Sequence, residues 1–298
     1  MKIIVTGSLG RISKPLTKEL VQKGHEVTVI SSNPEKQKDI EALGAIAAIG
    51  SLEDPRFLSS AFTGADAVYC MVPPANYLDH QLDLAVYWSN IANNYAAAIR
   101  QSGAKRVVYL SSIGAHLTKG SGIILCHHNA EATLDKLADV DITFMRPAAF
   151  HYNLYAFVPV IKNTGMMSSN YGASDKIVWV SPIDIAAAVA DEIITPLSGK
   201  KVRYVASDEL SCYEVAGILG AAIEKPGLTW EIISNEQTQA HLETAGMNPR
   251  IAAGLVEMQS GMHSGILFED YYLNRPSALG QVKMTNFAKE FAATFNQR

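Results

Sequence analysis

Short apolar runs rich in β-branched residues alternate with longer amphipathic segments through the first half of the sequence. That alternation restricts the chain to a narrow set of folds. Parallel strands need a long crossover between them, and a helix with one apolar face fills that crossover while covering the sheet. Six runs fit strands, at residues 2–6, 26–30, 45–49, 67–71, 106–110 and 142–145. Between the first two, Ile12, Leu16 and Leu20 recur on one helix face while Lys14 and Lys18 point elsewhere. Pro15 falls in the first turn, where its missing N–H does least harm, and Gly24 stops the helix. The pattern predicts an α/β fold, a doubly wound parallel sheet.

The remainder is looser. Long helices are predicted over 78–102, closed by Gly103, and over 118–137. After Pro147 come loops marked by Gly165 and Gly172, a short strand at 176–180, a helix at 183–194 and a last sheet strand at 201–205. Beyond that the chain reads as mainly helical, over 214–223, 236–245, 250–263 and 287–295, with one strand at 228–233. The expected organisation is one domain from 1–150 and 176–206, which carries the strand–helix alternation, with a smaller, mainly helical part from 151–175 and 207–298.

At 298 residues, 48% of them hydrophobic and 18% charged, the chain can bury a large core. A net charge of −4 and no Lys/Arg cluster argue against direct nucleic-acid binding. The apolar run behind Lys2 spans only Ile3 to Val5, and no run approaches the ~18 residues of a membrane span, so a cytoplasmic protein is expected. Cys70, Cys126 and Cys212 form no CxxC pair and are read as reduced thiols. His127 and His128 are adjacent and so point roughly 100° apart on a helix. Without HExxH or a carboxylate-bracketed pair, no metal site is expected.

The first strand runs into Gly7-Ser8-Leu9-Gly10 and then a helix. This placement aims free N–H groups and the positive helix end at one spot, which suits a pyrophosphate. Gly7 permits the turn and Gly10 the close approach of backbone to phosphate, with Arg11 and Ile12 completing the loop. Ser13 stands where a third glycine would set helix–strand packing, and is expected to loosen that packing slightly. An acid at the end of the second strand would hold the ribose hydroxyls of NAD; here stand Ser31, Ser32 and Asn33, with Lys36, Lys38 and Arg11 nearby. The missing acid points to NADP, with NAD left open.

Read in order, VTGSLGRIS, AIGSLEDPRFLSSAFTGADAVYCMVPP, SGAKRVVYLSSIGA, ITFMRPAAFHYN and WVSPIDIAAAVADEI resemble the NmrA-like family, atypical relatives of the short-chain dehydrogenases. The resemblance runs from Met1 to about Asp208. It implies a Rossmann domain with a smaller C-terminal substrate lobe. Family members include NADPH-dependent quinone, azo and phenylpropanoid reductases and nucleotide sensors that regulate transcription. It further implies cofactor contacts at Gly7 to Ile12, at Ser31 to Asn33 where many relatives carry an arginine, and at Ser51 near the adenine. Met71, Val72, Pro73 and Pro74 after the fourth strand, Ser111 and Ser112 after the fifth, and Pro147 to Phe150 after the sixth match cofactor-lining loops. Asp184 matches a structural aspartate that bonds backbone at a helix start.

Short-chain dehydrogenases typically use a Tyr-xxx-Lys pair, whose lysine lowers the phenol pKa. None of the twelve tyrosines here has lysine four residues on. Several family reductases place a lysine on the helix after the fifth strand, near His127, with His128 as the alternative. A histidine there would hydrogen-bond the nicotinamide ribose or donate a proton. His116, His151, Tyr152 and Asn153 follow strands at the sheet's C-terminal edge and are candidate substrate-binding residues. Ile251, Leu255, Met258 and Met262 form either a pocket wall or a core stripe. The sequence thus favours an NADP-dependent reductase of a small quinone, azo or carbonyl acceptor, monomeric or homodimeric. The other reading is a non-catalytic NADP(H) sensor acting through protein partners, whereas sugar-nucleotide epimerisation relies on the absent pair.

Overall fold

The computed structural model describes residues 1–297. Its strands are β1 (Lys2–Val5), β2 (Glu26–Ser31), β3 (Ile46–Ile49), β4 (Ala67–Cys70), β5 (Arg106–Leu110), β6 (Asp141–Pro147), β7 (Ala149–Phe150), β8 (Met167–Ser169), β9 (Lys176–Val180), β10 (Lys200–Val205), β11 (Asp208–Ser211) and β12 (Trp230–Ile232). The helices are α1 (Ser13–Gln22), α2 (Gln37–Glu41), α3 (Pro55–Phe62), α4 (Leu84–Ser102), α5 (Leu125–Leu134), α6 (Val158–Thr164), α7 (Pro182–Ile194), α8 (Cys212–Ala222), α9 (Asn235–Thr244), α10 (Pro249–Ser264), α11 (Glu269–Leu273) and α12 (Met284–Phe295).

Seven strands make one parallel sheet in the order β10-β6-β5-β4-β1-β2-β3. The chain starts at β1, winds outward to β3, then crosses back to β4 beside β1. That reversal opens a crevice above the carboxyl ends of β1 and β4, where open α/β sheets bind ligands. Both faces are covered. Ile3 and Val5 pack with Leu16 and Leu20 of α1 and Ile185 and Val189 of α7. Ile4, one residue out of phase, packs with Leu58 and Phe62 of α3 and Ile91, Tyr95 and Ile99 of α4. The first cluster continues without a break into Val215 and Leu219 of α8 and Phe287 and Phe291 of α12, so the C-terminal helices share its core.

Four expectations are corrected. The strand at 176–180 does not join the main sheet, because β10 already occupies the free edge of β6; β9 pairs instead with β7 and antiparallel with β11. α4 starts at Leu84 rather than residue 78, since the side chains of Asn76 and Asp79 accept from the N–H groups of Leu78 and Gln81 and hold turns that compete with a helix. The helix expected from 118 becomes a one-turn 3-10 helix at Gly122–Ile124 followed by α5, since Gly120 and Gly122 have φ of +72° and +53°. Asp184 does bond backbone, but not at its own helix. Ser181 caps α7, while the Asp184 carboxylate accepts from the N–H groups of Gln281 (3.0 Å) and Val282 (3.0 Å) and from Ser207 Oγ (2.6 Å), tying the approach to α12 onto α7. Among the described residues no helix is long and apolar enough to cross a membrane.

Candidate functional site

The turn after β1 is left-handed at Gly7 (φ +88°) and Ser8 (φ +54°). A Cβ at Gly7 would stand 2.8 Å from both the Met71 sulfur and Ser13 Oγ, so only glycine fits. The Gly10 N–H donates to the Gly7 carbonyl at 3.1 Å, and the Ser8 N–H to the Ile30 carbonyl at 3.0 Å. Among the described residues, the N–H groups of Leu9, Arg11 and Ile12 have no acceptor, and no side chain caps α1. Free N–H groups at an uncapped helix start form a seat for an anion. Ser13 does not loosen the junction. Its hydroxyl donates to the Thr6 carbonyl at 2.8 Å and its carbonyl accepts from Thr17 Oγ1 at 2.7 Å, stitching α1 to the end of β1.

Beside this seat, Ser31 is buried. Its hydroxyl accepts from Ser8 Oγ at 2.9 Å and from the Asn33 N–H at 3.2 Å, so it braces the loop instead of facing a ligand. Ser32 and Asn33 are exposed, although Asn33 Oδ1 caps the following turn through the Glu35 N–H. Lys36 pairs with Asp39 at 3.2 Å, and Ser51 is exposed just past β3. Across the crevice, the Met71 N–H donates to Thr6 Oγ1 (3.0 Å) and the Tyr95 hydroxyl donates to the Met71 carbonyl (2.7 Å), holding the start of the 71–74 loop. Within that loop Val72 is buried, Pro73 half-buried and Pro74 exposed. Pro147 is buried, its carbonyl accepting from the Ile113 N–H at 2.9 Å, and the Phe150 ring lies 5.0 Å from that of Tyr152.

At the end of β5, the Ser111 hydroxyl donates to Glu131 Oε1 on α5 at 2.5 Å. Glu131 is in turn held by Arg146 of β6 through two bonds, Nε to Oε1 at 2.9 Å and Nη2 to Oε2 at 2.7 Å. The same guanidinium reaches the Tyr204 hydroxyl (3.1 Å) and Asp270 Oδ2 (3.3 Å), and the Tyr204 hydroxyl also donates to Asp270. The proton of Ser111 is therefore committed to a carboxylate locked in a buried, bidentate pair. None of these four partners was expected as part of the site. The signal was an arginine inside the apolar run ITFMRP, a charge that must find partners if the run is buried.

His127, the candidate acid, lies on the first turn of α5 with its ring 4.3 Å from that of Trp88 on α4. Part of its surface stays accessible, but Nδ1 is sheltered and without a partner, and burial pushes the imidazole down to about 3. Burial thus favours the neutral ring at neutral pH. His128 Nδ1 lies 2.9 Å from the Ala115 carbonyl.

The four candidate substrate residues do not converge either. His116 lines a polar cleft of about 670 Å³ with Arg146, Tyr204 and Asp270. His151 and Tyr152 line a separate cavity against α1, and Asn153 is exposed. Of the stripe on α10, Ile251 and Met262 are buried while Leu255 and Met258 are half-buried, and α10 lies flush on the 122–124 turn because Gly122 and Gly254 face one another.

The model of the NAD(P)H-binding family matches residues 7–196, from the glycine turn to the end of α7. The chain belongs to the NAD(P)H-binding family. A curated relative, the NAD(P)H azoreductase of Xenophilus azovorans, is 25% identical over 302 aligned residues that cover 98% of this chain and 99% of the relative. The fold matches an NADPH-dependent quinone oxidoreductase of Escherichia coli, solved with NADPH, at a TM-score of 0.79 with 22% identity, covering 97% of this chain and 99% of that one. It also matches a nucleoside-diphosphate-sugar epimerase of Staphylococcus aureus at 0.78 and 18% identity, covering 97% and 100%. The fold, shared by reductase and epimerase, does not choose between their chemistries.

Proposed function

We propose that this chain is an NADPH-dependent reductase that passes hydride to a flat small-molecule acceptor, a quinone or an azo compound. One observation carries the reading: free N–H groups form an anion seat, while Ser111 and His127, the described residues expected beside the nicotinamide as donors, are not free to give up a proton. Ser111 is committed to Glu131, His127 is neutral and packed away, and no Tyr-xxx-Lys pair exists. Epimerisation and alcohol oxidation need such a group. A quinone does not, since water can supply its proton. The azoreductase that aligns over nearly the whole chain supports the same class.

The N–H groups of Leu9, Arg11 and Ile12 hold the pyrophosphate, with Gly7 and Gly10 allowing its close approach. Ser32, Asn33 and Ser51 face the adenosine end, where the lack of a carboxylate favours NADPH over NADH. Met71 to Pro74, Pro147 and Phe150 line the nicotinamide end, and Ser111, as a hydrogen-bond acceptor only, orients the carboxamide. Held there, the reduced nicotinamide supplies the hydride. Anaerobic stopped-flow oxidation of NADPH against a panel of quinones, azo dyes and aldehydes tests this. Turnover with quinones or azo dyes and none with aldehydes is expected; tight NADPH binding with no turnover at all would make the chain a sensor.

A further inference from the structure

Away from the crevice, α1 turns another face toward the C-terminal helices. There a cavity of about 360 Å³ opens between α1, the 151–157 turn, the start of α7 and α12. Met71, Ser111 and Pro147 are not in its lining, so it is distinct from the nicotinamide end of the crevice. Its floor is apolar and partly aromatic, with Pro15, Tyr152, Pro182, Val282 and Phe287. Three cations, Arg11 in the loop before α1 and Lys14 and Lys18 on its first two turns, stand at its rim, against the single carboxylate of Glu290 among the described lining residues. Among the described residues none of the three cations forms an ion pair. The Arg11 guanidinium lies over the Tyr152 ring (5.0 Å) and the Tyr155 ring (5.5 Å), a stacking that leaves its N–H edges free.

His151 also lines the cavity, but its Nε2 has no accessible surface and lies 3.8 Å from the Asp208 carboxylate, which is outside the lining, so the recognition falls to the cations and the aromatic floor.

We propose that this cavity is a second binding site, for a small organic anion with a flat apolar body. The body lies on Tyr152 and Phe287, and the charged group meets Arg11, Lys14 and Lys18.

The test uses the full chain saturated with NADPH, which keeps the crevice filled. Two probes of similar shape are titrated by fluorescence and calorimetry: anilinonaphthalene sulfonate, an anion, and N-phenylnaphthylamine, its uncharged counterpart. One sulfonate per chain is expected, bound at least tenfold more tightly than the amine. Lys14→Glu combined with Lys18→Glu, both on exposed positions, is expected to weaken the sulfonate at least tenfold and leave the amine unchanged. Equal affinity for the two probes, indifference to the charge reversal, or absence of sulfonate binding until NADPH is removed would each overturn the proposal.

Discussion

At single residues, the phosphate seat makes the sharpest demands. A Cβ at Gly10 would already sit 3.1 Å from the Gly7 carbonyl, and anything larger projects into the space above the free N–H groups. Gly10→Val is therefore expected to weaken NADPH binding at least tenfold, about 1.4 kcal/mol, with the fold retained. Calorimetry on the variant checks this, and unchanged affinity would move the cofactor elsewhere. Ser32 offers the complementary test, because Ser31 is used up in bracing the loop and leaves Ser32 as the exposed hydroxyl at the end of β2. Ser32→Asp should restore the ribose-binding acid and repel a 2′-phosphate, shifting the NADPH/NADH affinity ratio toward NADH by at least tenfold. An unchanged ratio would show that this strand end does not face the adenosine. The glycines and the missing acid were legible in sequence because each is a local, backbone-level requirement. The burial of Ser31 was not, since nothing local says which of two adjacent serines turns inward.

Among elements, the strands of the sheet were readable because buried parallel strands are continuous apolar runs, and β5 lies where the sequence placed it. Helix starts were less so, being decided by competing local turns, as at α4, or by glycine conformation, as before α5. Least legible was the clasp between elements far apart in sequence. Asn248, buried at the start of α10, caps that helix through Oδ1 to the Arg250 N–H (2.9 Å). Its Nδ2 donates to the carbonyls of Asp79 (3.0 Å) and Leu82 (3.3 Å), and its own N–H to the Tyr77 carbonyl (2.9 Å). The start of α10 thereby holds the segment that carries the 71–74 loop into α4. Asn248→Ala loses both cap and clasp and should cost about 1–3 kcal/mol in urea unfolding. Asn248→Asp keeps the cap but cannot donate, so it should recover part of that stability while leaving residues 75–83 open to limited proteolysis. If the Asp variant resists cleavage as the parent does, the side-chain clasp is not what orders this loop.

For the whole molecule, the buried imidazoles set how stability responds to acid. Burial lowers His127 to about 3 and His151 to about 4, and also lowers His116, while in the unfolded chain each returns to about 6.5. Between those values the unfolded chain binds protons that the folded one refuses, so folding stability falls as pH drops below about 6.5. Burial raises Glu192, but hydrogen bonds from Arg203, Lys201 and Thr143 outweigh it and hold the carboxyl below its ordinary value. Its contribution is thus lost only at lower pH. Between about 6.5 and about 4.5 each of the histidines steepens the curve by up to about 1.4 kcal/mol per pH unit, while Asp208, whose carboxyl is raised by burial, works against them at the acid end. Calorimetric melting should accordingly show Tm falling across this window, and His127→Gln should make the fall shallower by one proton. The same variant separates structure from chemistry. A ring that is neutral throughout the neutral range transfers no proton, so His127→Gln should keep quinone reduction within about tenfold of the parent and leave the shape of the pH–rate profile unchanged. A hundredfold loss, the scale of an acid catalyst, together with a vanished titration near 6.5 would instead put His127 in the reaction.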